Sequence, residues 1–181
     1  MSEQDYKTTP PWLPIETPSA KLSPSGSKLR AVIAELDVEN APRYRRAGSA
    51  TWCNIFVTDV LTQMGLQPGH WMRKDGAPAQ VGKGQEMNAN AIVRWLEKHG
   101  PRFGWQEADR ESAQAAAERG HVVVVGWDSG TSYPGHVAIL LAEGTIAQAG
   151  SRNFVGETIR AGFGDKPVRF FVQMHGGSHE A

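Results

Sequence analysis

The strongest constraint on this chain is a change of hydrophobic period partway along it. Between residues 28 and 119 apolar side chains recur at helical spacing; from 121 to 174 they fall in short β-branched runs cut by turn residues. Leu29, Val32, Ile33 and Leu36 form one helical stripe, with Ser27 placed to cap it. A second helix is predicted from about residue 51 to 64. Ile55, Phe56, Val57, Val60, Leu61 and Met64 give it a broad apolar face, and Gly65 stops it. A third helix carries Ile92, Val93, Trp95 and Leu96, opened by Asn88 or Asn90 and closed by Gly100-Pro101. A fourth, short and rich in Ala and Glu, covers 109–119. Residues 121–127, 135–142, 145–149 and 167–174 then read as strands. Helices first and strands afterwards predict an α+β fold, with N-terminal helices packed on an antiparallel sheet.

The ends differ from this body. Five of the eleven prolines lie within residues 1–27, so that stretch is expected to be an extended Pro/Ser-rich arm, with Trp12, Leu13 and Ile15 available to pin it. One domain is expected over 28–175 and a short tail over 176–181. Residues 66–87, dense in Gly and Pro, read as a long loop that forms one wall of a cleft.

Composition removes several functions. Nineteen basic and nineteen acidic side chains give a formal charge of zero, so nothing favours nucleic acid as a partner. A single cysteine excludes an internal disulfide and a Cys-rich zinc module. No apolar run is long enough for an integral membrane segment. The histidines show no HxxxH or HExxH spacing, and neither Gly82-Lys83-Gly84 nor Gly162-Phe163-Gly164 completes a phosphate loop. No metal and no cofactor is therefore expected. The polar start of the chain shows no Sec signal, which implies synthesis in the cytoplasm and export by another route.

The sole cysteine stands where it can do chemistry. Cys53 opens the second helix, where unpaired backbone N–H groups and the positive end of the helix dipole favour a thiolate. The Cys53 backbone N–H is also placed to contribute to an oxyanion hole. His136 follows Gly135 at the start of a strand, with Ala138 and Leu140 on its face, and is the candidate general base and acid. A third group should orient the imidazole. Gln148, the one polar side chain inside the next strand, is the first choice; Asp128 and Asn153 are the alternatives. Trp52, Trp71 and Tyr133 are the aromatic side chains assigned to substrate contact.

A cysteine opening a helix, then Gly-His-Val-Ala-Ile on a later strand, then a polar residue on the next, resembles the papain-like cell-wall hydrolases: the NlpC-type peptidases and CHAP amidases. The resemblance spans roughly residues 40–150. Trp-Cys-Asn-Ile stands where the family commonly has Asp-Cys-Ser-Gly, and Gln148 stands where it commonly has His, Asn or an acid, which marks a divergent branch. The resemblance implies a papain-like core, Cys53 as nucleophile, His136 as base, Gln148 as third residue and Tyr44 near the oxyanion site. It implies hydrolysis of an amide bond in peptidoglycan through an acyl-enzyme, with stem peptides as substrate. With the absent Sec signal, it points to a secreted antibacterial effector (type VI type), partnered by a cognate immunity protein, or to a phage-type lysis enzyme. Two other readings keep the same residues: a cysteine-dependent toxin acting on a protein (protease, deamidase or transglutaminase-like), and a non-enzymatic phage- or secretion-associated binding domain.

Overall fold

The structure is a computed structural model that describes residues 9–15 and 26–174. The rest of the expected arm, and the expected tail at 176–181, lie outside the described residues. Helices α1 (Gly26–Leu36), α2 (Cys53–Gln63), α3 (Ala89–Lys98) and α4 (Arg110–Glu118) fall where the apolar stripes place them. Ser27 lies inside the first turn of α1. Asn88, not Asn90, caps α3: its side chain accepts from the Ala91 N–H at 2.9 Å. Gly65 ends α2 at φ +74°, a left-handed conformation that glycine adopts without strain.

The sheet is larger than the pattern predicts. Four strands match the apolar runs: β4 (Val123–Trp127), β5 (His136–Leu140), β6 (Thr145–Gln148) and β8 (Arg169–Gln173). Two more, β3 (Trp105–Ala108) and β7 (Phe154–Thr158), form its edges, in the order β3-β8-β4-β5-β6-β7 with every neighbouring pair antiparallel. Both edge strands are largely solvated and polar, and β7 contains Gly156, so neither shows an apolar alternation. The long 66–87 loop is also structured. It holds a two-stranded ribbon, β1 (Trp71–Met72) with β2 (Gln85–Glu86). A short helix α5 (Ile159–Phe163) follows β7, where Gly162-Phe163-Gly164 reads as a turn.

Both faces of the sheet are covered. On one side, Phe56 and Val60 of α2 and Ile92 and Val93 of α3 pack with Val124, Val137 and Ile139. On the other, Ala113 and Ala116 of α4 and Phe163 of α5 pack with Val125, Ala138, Leu140 and Phe170. This explains why β4 is apolar without alternation: each of its side chains meets a helical layer. Among the described residues no helix is long and apolar enough to cross a membrane.

One buried ionic cluster ties α2 to the chain before it. Asp59 is two turns into α2 and buried. Arg43 meets it with two bonds, Nε to Oδ2 at 2.6 Å and Nη2 to Oδ1 at 2.9 Å, and the Tyr44 hydroxyl donates to Oδ2 at 2.7 Å. Burial, then the Asp59 charge, holds the Tyr44 phenol well above its ordinary value, so it remains a donor. The spare Arg43 donors bind the carbonyls of Thr9, Pro10 and Leu13, which fastens the described part of the arm. Of the three arm side chains expected to pin it, Ile15 is buried while Trp12 and Leu13 are exposed. Removing one member of a buried pair strands the other's charge, so Asp59→Ala should cost about 3–5 kcal/mol by denaturant unfolding. A loss under about 1 kcal/mol, typical of solvated pairs, would contradict this assignment.

Candidate active site

Cys53 is the first residue of α2 and is only 5% exposed. The helix start has an unusual feature. Asn88, Asp109 and Thr158 cap α3, α4 and α5 with side-chain hydrogen bonds, but Trp52 precedes α2 without one. The first amides of α2 are thereby left to other partners. The backbone N–H groups of Val137, Asn54 and Cys53 itself favour the anionic form of the Cys53 sulfur. Burial pushes the thiol up from its ordinary value, and the three amides oppose that push without overcoming it. The resting group is therefore a thiol, and the nearby amides favour its anion. The Asn54 side chain fixes this turn by donating to the Met87 carbonyl at 2.9 Å.

His136 opens β5, one residue before Val137. Its Nε2 is 2.6 Å from Gln148 Oε1. The Gln148 amide can only be turned this way, because its Nε2 donates to the Arg152 carbonyl at 3.0 Å. The imidazole thus carries its proton on Nε2, and Nδ1 is its basic nitrogen. Nδ1 has no hydrogen bond among the described residues. The ring also packs on Phe163, with centroids 4.7 Å apart. Burial lowers the His136 value from the ordinary one, and the Gln148 bond raises it by a lesser amount, so the ring is neutral at neutral pH.

The two groups reach the start of β5 from different sides. Val137 and Ile139 share the cluster that contains Cys53; Ala138 and Leu140, on the His136 face of the strand, pack with Phe163. Among the described residues no hydrogen bond joins the sulfur to the imidazole. The structure brings the helix start to the strand start, and His136 to Gln148, while the imidazole rests on Phe163.

The remaining candidates sort by their partners. Asp128 forms a two-bond ion pair with Arg94 at 2.6 and 3.0 Å and is held below the usual carboxylate range by it. Among the described residues no hydrogen bond joins it to His136. Asn153 spans the chain: its Nδ2 donates to the carbonyls of Val38 and Tyr44, and its Oδ1 accepts from the Gly150 N–H. The Tyr44 hydroxyl is spent on Asp59, which leaves it unavailable to an oxyanion. Trp52 is half-buried and its indole donates to the Arg45 carbonyl. Trp71 is half-buried in β1, and its indole nitrogen is enclosed with no partner among the described residues. Tyr133 is 78% exposed. Among the described residues no three His, Cys, Asp or Glu side chains gather closely enough to hold a metal ion.

Two features escape a reading of the sequence. Asn90, buried on α3, organises the loop that leads into His136. Its Nδ2 donates to the Tyr133 carbonyl at 2.8 Å and to Ser129 Oγ at 3.1 Å, and its Oδ1 accepts from the Ser129 N–H. Gly135 threads between them: a Cβ there would stand 2.1 Å from the Trp127 carbonyl oxygen and 2.4 Å from Asn90 Oδ1. The second is α5, which covers His136 and Gln148. A Cβ on Gly162 would come within 2.3 Å of Gln148 Oε1, so the glycine beside Phe163 was the available signal.

Compared with family models and with curated proteins, the chain matches none. The imidazole supplies a direct check on the geometry. Followed by NMR through its carbon-bound protons, His136 should titrate below 6.5, and Gln148→Leu should lower the midpoint further, since the lost bond favoured the protonated ring. A midpoint at or above 6.5, or an upward shift in the variant, would contradict the described environment.

Proposed function

We propose that this protein is a cysteine hydrolase that cleaves amide bonds of bacterial peptidoglycan, with Cys53 as nucleophile and His136 as general base and acid on a papain-like core. The observation that carries the reading is Cys53 as the first residue of a helix that no side chain caps, packed with Val137 next to a His136 whose ring is held by Gln148. An anion formed at that position is met by donors already in place, which lowers the cost of forming it. Gln148 supports the same reading by fixing the imidazole tautomer and leaving Nδ1 as the proton acceptor.

The steps follow from this arrangement. His136 Nδ1 takes the Sγ proton as sulfur attacks the amide carbonyl carbon. The oxyanion of the tetrahedral intermediate is held by N–H groups at the start of α2. The imidazolium then protonates the leaving nitrogen, the C–N bond breaks, and a thioester remains on Cys53. Water, giving its proton to Nδ1, attacks the thioester and releases the acid and the thiol. Catalytic hydrogen bonds that are loose in a free enzyme tighten in the reacting complex, and the bond between Sγ and His136 Nδ1 is read as one of these. The choice of peptidoglycan rests on the Gly-His-Val-Ala-Ile resemblance, and delivery to a target wall as an effector or phage-type enzyme rests on the same footing.

A second reading has its own support. The thiol is buried, raised by burial, and not bonded to the imidazole, as in a binding domain whose cysteine only fills space. Digestion of purified sacculi separates the two. The wild-type protein should release new muropeptides detectable by mass spectrometry. Cys53→Ala should release none, and His136→Ala should slow release about 10²–10⁴-fold. Absence of any product with wild-type protein would sink the cell-wall reading, and equal release by Cys53→Ala would sink the thiol mechanism.

A further inference from the structure

The His136 ring is held at more than one place. Gln148 Oε1 accepts from Nε2 at 2.6 Å, which fixes one corner of the imidazole. One hydrogen bond still leaves a ring free to tilt about the bonded atom. Gly150 closes the next corner: a Cβ there would stand 3.4 Å from His136 Cε1. The plane is met by Phe163, whose ring approaches the imidazole edge to face, with centroids 4.7 Å apart and planes 60° apart. Phe163 is itself buried, in the apolar layer that contains Val125, Ala138 and Phe170.

The close approach depends on how α5 lies over the strands. A Cβ on Gly162 would stand 2.3 Å from Gln148 Oε1 and 2.7 Å from Ile146 Cδ1, so a side chain there would push the helix off. Three residues beyond Phe163, Lys166 lies over the Trp127 ring, 4.7 Å from its centroid. Trp127 is the cross-strand partner of His136. Residues 162–166 therefore roof both members of that pair. The other charged side chains nearby in the chain are engaged with each other, Arg160 with Asp165 and Arg152 with Glu157.

We propose that Phe163 is a positioning residue for His136: it holds the plane of the imidazole while Gln148 holds Nε2, so that Nδ1 is presented in one direction. It acts through the imidazole alone. The consequence for catalysis rests on the hydrolase reading; the hold on the ring does not.

NMR titration of the carbon-bound His136 protons and digestion of sacculi, both with the full chain, test this. Phe163 shields the ring from water, so Phe163→Ala should move the His136 midpoint up towards 6.5, opposite in sign to the fall expected for Gln148→Leu. Phe163→Leu keeps more apolar cover and should move the midpoint the same way by less; it carries the test if the alanine variant does not fold. A residue that merely supported the fold would leave the midpoint of a folded variant unchanged. In digestion, Phe163→Leu should lower kcat about tenfold and Phe163→Ala up to about 10²-fold, with KM unchanged. If the wild-type protein cleaves nothing, the hydrolase reading falls and the midpoint alone decides the positioning role. The proposal is overturned if the folded variants keep the wild-type midpoint or lower it, or if they share the kcat of an active wild type.

Discussion

A carboxylate buried in the middle of a helix has to be met, and much of this structure follows from how Asp59 is met. Its charge draws in the Arg43 guanidinium and the Tyr44 hydroxyl, so the segment before α2 folds back over the helix. That segment then offers its own backbone to others. The Tyr44 and Val38 carbonyls receive the Asn153 amide, whose oxygen holds the Gly150 N–H. Gly150 in turn lies against Gln148 and the His136 ring. Polar ties therefore run from the helix that begins with Cys53 to Gly150, two residues beyond Gln148. Hydrophobic packing brings α2 onto β5, but such packing is non-directional.

The parts legible in the sequence are those where local pattern and tertiary packing agree. Leu29, Val32, Ile33 and Leu36 are buried as their spacing requires, and the broad apolar face of α2 is buried between α1 and the sheet. The apolar strands were legible because both sheet faces are covered and the middle of each strand is apolar. Cys53 could be placed at a helix start, and Gln148 could be paired with His136, because a hairpin about Glu143-Gly144 has few registers.

What stayed hidden depends on partners remote in sequence. Arg43 and Asp59 each look like an ordinary surface charge until the fold buries both. Asn90 sits on a helix whose cap is Asn88, and its bonds to residues 129–133 leave no local trace. Edge strands β3 and β7 are held by one neighbour each and need no apolar alternation. The face on which the imidazole rests is set by α5, a five-residue helix too short to show a period. Tyr44 was expected near an oxyanion, but the demand of a buried carboxylate takes its hydroxyl first.

The account turns on whether the imidazole serves the sulfur, since the thiol alone is disfavoured as a thiolate by its burial. The rate at which iodoacetamide alkylates Cys53, measured against pH in wild type and in His136→Ala, tests that most directly. If His136 accepts the Sγ proton, the wild-type rate levels off across neutral pH above the lowered His136 midpoint, and the variant loses that plateau. If the two groups are independent, both proteins show a slow rate that climbs about tenfold per pH unit beyond the ordinary thiol range, and the nucleophile reading is contradicted.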